Sequence, residues 1–173
     1  MVVTSYTTGQ DGDRFIGDTG GTEIRDAQGF QIPSNDTIIS AELYLKDGPT
    51  SPTDAITVRV ETDSAGVPSG TLVDANATGT IAAASVTGTY QFLMVTFSGS
   101  FSLTASTQYH LVASVPNQSN DVYFIWGDDT TSPSYTGGTE SQSFNGGAWG
   151  NAARDLLFKI NNNIADSGFL TIL

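Results

Sequence analysis

The 173-residue chain has no cysteine, a single histidine and only six lysines and arginines together. The missing cysteine removes disulfides, thiolate metal sites and thiol nucleophiles at once. It leaves the compartment open, because an oxidising medium permits disulfides without requiring them. With one histidine, His110, no metal site can use two imidazoles. A Ser-His-Asp site would have to be built on that residue, and no G-x-S-x-G elbow accompanies it. Charged residues make up 14%, and 18 acids give a net charge of −12. Such a surface repels phosphate backbones and anionic headgroups, so neither nucleic acid nor membrane is expected as a partner. No stretch approaches the roughly 18 apolar residues of a membrane span. The opening MVVTSYTTGQ lacks the basic and apolar regions of a secretory signal. The expectation is a protein that either leaves the cell by another route or is assembled inside it into a particle.

What is present is hydroxyl-rich and turn-rich: 41 serines and threonines and 19 glycines. Period-two alternation recurs along the chain. In TIISAELYLK, Ile39, Ala41, Leu43 and Leu45 share one face. Ile56, Val58 and Val60 do so in AITVRVET; Tyr109, Leu111, Ala113 and Val115 in TQYHLVASV; Leu156, Phe158 and Ile160 in RDLLFKI. YQFLMVTF is apolar on both faces, Leu93, Val95 and Phe97 against Tyr90, Phe92 and Met94. That pattern fits a central or loop-covered strand, or one whose outer face meets another subunit. Turns rich in Asp, Gly and Pro separate the runs, and only IAAASV hints at a helical turn. The pattern predicts an all-β, antiparallel β-sandwich of jelly-roll type with eight to nine strands. Residues 1–26 are expected as an arm leading to a first strand near Ala27–Ile32, residues 27–160 as the sandwich, and 161–173 as an apolar tail strand.

Several segments occur in a familiar order: AITVRVETDSAGVPSGTLV, FSLTASTQYHLVAS, YFIWGDD, YTGGTESQSFNGGAWG and DLLFKI. This order resembles a jelly-roll module of tailed-phage virion proteins and bacterial surface proteins. Ser106 stands where that module usually has glycine, and the segment after Ile160 is additional. The resemblance implies a non-enzymatic role at the surface of a virion or cell. The expected partners are other virion proteins of a capsid or tail, further copies of the chain, or a cell-surface glycan.

Two sets of residues are candidates for contact. Trp126, Asp128, Asp129, Tyr135 and Trp149 combine aromatic faces, which stack on sugar C–H groups, with carboxylates that accept from hydroxyls. Trp126 is expected at a strand end, and the others on loops over a β scaffold. In the competing reading, Trp149 packs beside Trp126 and the glycine-rich loop closes one end of the sandwich. Phe169, Leu170, Ile172 and Leu173 make the tail a candidate partner-binding segment. Asp128, Asp129, Glu140 and Asp155 are the acids available for a glycosidase-like pair, but acids beside strand ends more commonly cap turns. His110 is expected on the surface. No cofactor is expected. Ca²⁺ is conceivable at Asp11, Asp13 and Asp18, at Asp63, or at Asp128 and Asp129, where solvated turn acids are the simpler reading.

Overall fold

The computed structural model describes residues 1–50, 52–116 and 121–162. They form fourteen strands and one 3₁₀ turn. The strands are β1 (Val2–Tyr6), β2 (Gly12–Thr19), β3 (Thr22–Phe30), β4 (Asp36–Asp47), β5 (Ile56–Ser64), β6 (Val67–Leu72) and β7 (Thr78–Ile81). There follow β8 (Gln91–Leu103), β9 (Tyr109–Ser114), β10 (Val122–Asp129), β11 (Glu140–Phe144), β12 (Trp149–Ala152), β13 (Asp155–Leu156) and β14 (Phe158–Asn162). The alanine-rich segment supplies the 3₁₀ turn, Ala83–Ser85. All pairings are antiparallel.

The all-β sandwich is the fold expected, with more strands than the alternation showed. One edge of β4 pairs with β8, and the other pairs first with β14 and then with β10. β10 hands the sheet on through β2 to β3, β9, β5 and β6. Phe30 on β3 and Phe158 on β14 meet at 6.1 Å although their strands are not paired, so the two layers touch across the core. Ile56, Val58, Val60, Leu111, Ala113, Leu156, Phe158 and Ile160 all lie in that core, on the faces their alternation assigned.

Two expectations are corrected. Residues 1–26 are not an arm: they supply β1, β2 and the start of β3, and β2 is paired along most of its length with β10. The pattern failed there because GDRFIGDT places polar groups on both faces. In β4 the buried residue is Ile38 rather than Ile39. Both partners of β4 shift register between Ile38 and Ser40, so Ile39 sits in a bulge and turns to the outer face. The shift in β8 spans residues 97–100, and Phe97 and Phe101 pack edge-on beside it at 5.1 Å.

The DSAGVPSG segment is a hairpin device. Ala65 (φ 55°) and Gly66 (φ 88°) form the two-residue loop between β5 and β6, as a type I′ turn requires. The Gly66 amide donates to Asp63 Oδ1 at 3.0 Å, and the Gly70 amide to Glu61 Oε2 at 2.8 Å. A Cβ at Gly66 would meet nothing closer than 3.6 Å, so Gly66→Ala costs only the left-handed backbone, about 1–2 kcal/mol. Urea melts should show a lower midpoint with an unchanged slope.

Candidate functional site

The sequence-predicted residues do not converge on one surface. Trp126 is fully buried in β10, and its indole Nε1 donates to the Leu157 carbonyl at 2.8 Å. Neither ring face is open to a sugar, which corrects its assignment to a binding platform. Asp128 is also fully buried and accepts from Arg154 at 3.3 Å. Asp129 is buried too, accepting from the Tyr6 hydroxyl at 2.5 Å and the Ser132 amide at 2.9 Å. Tyr135 is half-buried, edge-on to Phe158 at 5.3 Å and tilted against Tyr6 at 6.1 Å. Its amide donates to Asp155 at 2.8 Å. Burial raises the pKa of Asp128, Asp155 and Tyr135.

Trp149 is held elsewhere. β11 and β12 form a hairpin on the edge of β3, and the Arg25 guanidinium lies over the Trp149 ring at 5.5 Å. The glycine-rich loop therefore does fold back, but its tryptophan rests on Arg25 while Tyr135 fills the core margin. Trp149 is half-buried, so Trp149→Ala should lower stability by about 1–2 kcal/mol, the cation–π contact together with the apolar area its ring covers. Chemical denaturation of the two proteins checks this. The tail residues Phe169, Leu170, Ile172 and Leu173 lie outside the described residues.

The acids weighed for calcium have protein partners. Asp11 accepts from the Thr130 amide and hydroxyl at 2.7 and 2.9 Å, and these bonds draw its pKa down to about 2. Asp18 accepts from the Gly21 amide at 2.8 Å. Asp63 accepts from Gly66 and faces His110 Nε2 at 2.8 Å. Among the described residues, no group of three or more His, Asp or Glu side chains is placed to hold a metal. His110 is buried rather than on the surface, because β9 is covered on both sides. Burial lowers its pKa, against the pull of Asp63; the neutral ring donates from Nε2 and leaves Nδ1 without a partner.

Two arrangements lie outside the sequence-predicted binding residues. The first is a buried polar cluster where β2, β3, β10 and β11 meet. Asp26 and Glu140 are both fully buried. Arg14 donates to Glu140 through Nε at 2.8 Å and again through its terminal nitrogen, and its Nε lies 4.0 Å from Asp26. Neither Asp26 oxygen has a donor. Burial raises the Asp26 pKa well above the carboxylate range; Arg14 opposes this and Glu140 adds to it. Asp26 and Glu140 hydrogen-bond to each other only when a proton lies between them.

The second is the outer face of β4 and β8. Tyr44 stacks on Tyr90 at 4.9 Å and 10°, and tilts against Phe92 at 4.8 Å. Lys46 lies over the Tyr90 ring at 4.5 Å and Lys159 over Phe92 at 4.1 Å. Tyr90 donates to Asp13, which also accepts from Lys46 at 3.2 Å. Burial and that bond raise the Tyr90 pKa. Among the described residues β8 pairs with β4 alone. It is not a central strand, and its second apolar face turns outward, ending in the exposed Met94. The signal was the double apolar pattern of YQFLMVTF; the contribution of Tyr44 came only with the register.

No family model matches the chain, and no curated protein matches it.

Proposed function

We propose that the protein is a non-enzymatic structural component of a tailed-virus particle, decorating the capsid or forming part of a tail or fibre. It is attached through its terminal segments, with virion proteins and other copies of itself as neighbours. The observation that carries this reading is the outer face of β4 and β8. Tyr90, Tyr44, Phe92 and Met94 form an aromatic and apolar stripe on the solvent side of a rigid sheet, the type of surface that marks contact with another protein. The motif order of the virion and surface module supports the same reading. So does the engagement of Asp128, Asp129 and Asp155 in internal contacts rather than in an open cleft.

The test is association. Purified protein should self-associate on concentration or bind particle shells in co-sedimentation, and Met94→Glu should weaken either. A protein that stays monomeric at high concentration and leaves shells bare would remove the reading. Glycan-array hits abolished by Trp149→Ala would transfer the assignment to host-surface glycan binding.

A further inference from the structure

Lys46 and Lys159 are the chain's only lysines, and both lie on the outer face of β4 and β8, over the Tyr90 and Phe92 rings. Each is met by one acid: Asp13 accepts from Lys46 at 3.2 Å and Glu42 from Lys159 at 2.7 Å. These four side chains cancel, so the net charge of −12 resides on the rest of the molecule. A cationic partner would be drawn to that acidic remainder. A second copy is repelled there and can approach only where charge is balanced.

The shape of the face suits the same occupant. A depression of about 450 Å³ opens between β1, β14, β4 and β8, lined by Val2, Ile39 and Met94 among others. Ile39 reaches it because the β4 bulge turns that residue outward. Met94 is both a wall of the depression and the most prominent apolar group beside the stripe, 63% exposed. A thioether chain is flexible enough to fill an irregular apolar space. Across a two-fold axis the same patch meets itself, so one projection beside one depression is self-complementary.

We propose that a second copy of the chain covers the β4 and β8 face about a two-fold axis, with Met94 of each copy seated in the depression of the other. Such a dimer rests on the particle reading of that face as a protein contact, and it gives the contact an occupant. Because the remainder of both copies is acidic, association works against a repulsion that salt screens. The dimer should therefore tighten several-fold between about 0.05 and 0.5 M sodium chloride, whereas a contact made by opposite charges weakens.

Sedimentation equilibrium of the full chain reads both the dimer and its salt dependence. Met94→Glu places a like-charged pair in the contact and should weaken the dimer at least tenfold, with an unchanged circular dichroism spectrum because the site is exposed. The absence of native cysteine makes crosslinking clean. Chains carrying Met94→Cys, mixed with chains carrying Val2→Cys and oxidised mildly, should give the mixed disulfide in yield several-fold above a Ser69→Cys and Val2→Cys control. A dimer that weakens with salt, or that survives Met94→Glu with crosslinks no higher than the control, would overturn the proposal by placing the contact elsewhere. A chain that stays monomeric yet binds particle shells through Met94 would overturn the second copy and leave the particle reading standing. A monomer that leaves shells bare would remove both.

Discussion

Trp126→Ala should destabilise the protein by about 3–5 kcal/mol, the range for truncating a fully buried large aromatic. Trp126 stands where β10 pairs with β4 on one side and β2 on the other, opposite Leu45 and Arg14. Its side chain is fully buried within the core cluster. Removal opens a cavity at the strand joining the two layers and strips the Leu157 carbonyl of the indole donor. Domains of this kind are stable by only about 5–15 kcal/mol, so the change takes a large share. Trp126→Phe keeps most of the packing and loses mainly the indole hydrogen bond; the Leu157 carbonyl still accepts from the Tyr44 amide at 3.2 Å, so the cost should be about 0.5–1.5 kcal/mol. Urea unfolding followed by far-ultraviolet circular dichroism gives both values. A Trp126→Ala unfolding free energy within about 0.5 kcal/mol of the parent's, as for a surface site, would mean the indole is not in the core. The sugar-platform reading would then return.

The contrast between Trp126 and Trp149 shows what the chain discloses before folding. Strands such as Ile56–Ser64 announce themselves because apolar and polar residues alternate and the sheet hides one face. Alternation is a local property, so it survives reading in one dimension. The β4 bulge does not, because two neighbouring isoleucines offer the core equal choices and the decision falls to β8 and β14. β2 was missed for a related reason. Its Arg14 turns toward Glu140, 126 residues away, and no sequence pattern couples the two. His110 was misplaced because β9 is buried on both faces. Of the proposed binding residues, type was legible and direction was not. Tyr135 and Trp149 both left the loop for packing partners, Phe158 and Arg25, chosen by strand register. The acids followed the same rule, with Asp128 and Asp129 lying inside the fold they seemed to decorate.

Arg14→Met should also be severe, about 3–5 kcal/mol at neutral pH, because it removes the cation from a buried ionic group and leaves its carboxylates uncompensated. Methionine retains much of the stem volume, so most of the loss is electrostatic. The cost should depend on pH in a defined direction. Asp26, Asp128 and Asp155 all have folded pKa values above the ordinary 3.8. Each binds more proton folded than unfolded, so its contribution is fully present below pH 3.8 and is lost as pH rises through the folded value. Two groups act in the opposite sense. Asp11, drawn down to about 2, contributes above pH 3.8 and loses that as pH falls toward 2. His110, lowered from 6.5, contributes above that pH and loses it on acidification. Neither is in the Arg14 cluster, so both cancel when the variant is compared with the parent at each pH. Without Arg14, which lowers the Asp26 pKa, Asp26 holds its proton more tightly. The penalty of Arg14→Met should therefore be largest near pH 7 and shrink as pH falls toward 4. Adding Asp26→Asn to Arg14→Met removes a buried carboxyl that at pH 7 must either carry charge or take up a proton on folding, and should recover a substantial part of the loss at pH 7, with little gain at pH 4. A penalty equal at both pH values, with no recovery in the double variant, would mean that Arg14 acts through packing and that Asp26 and Glu140 carry no strained charge.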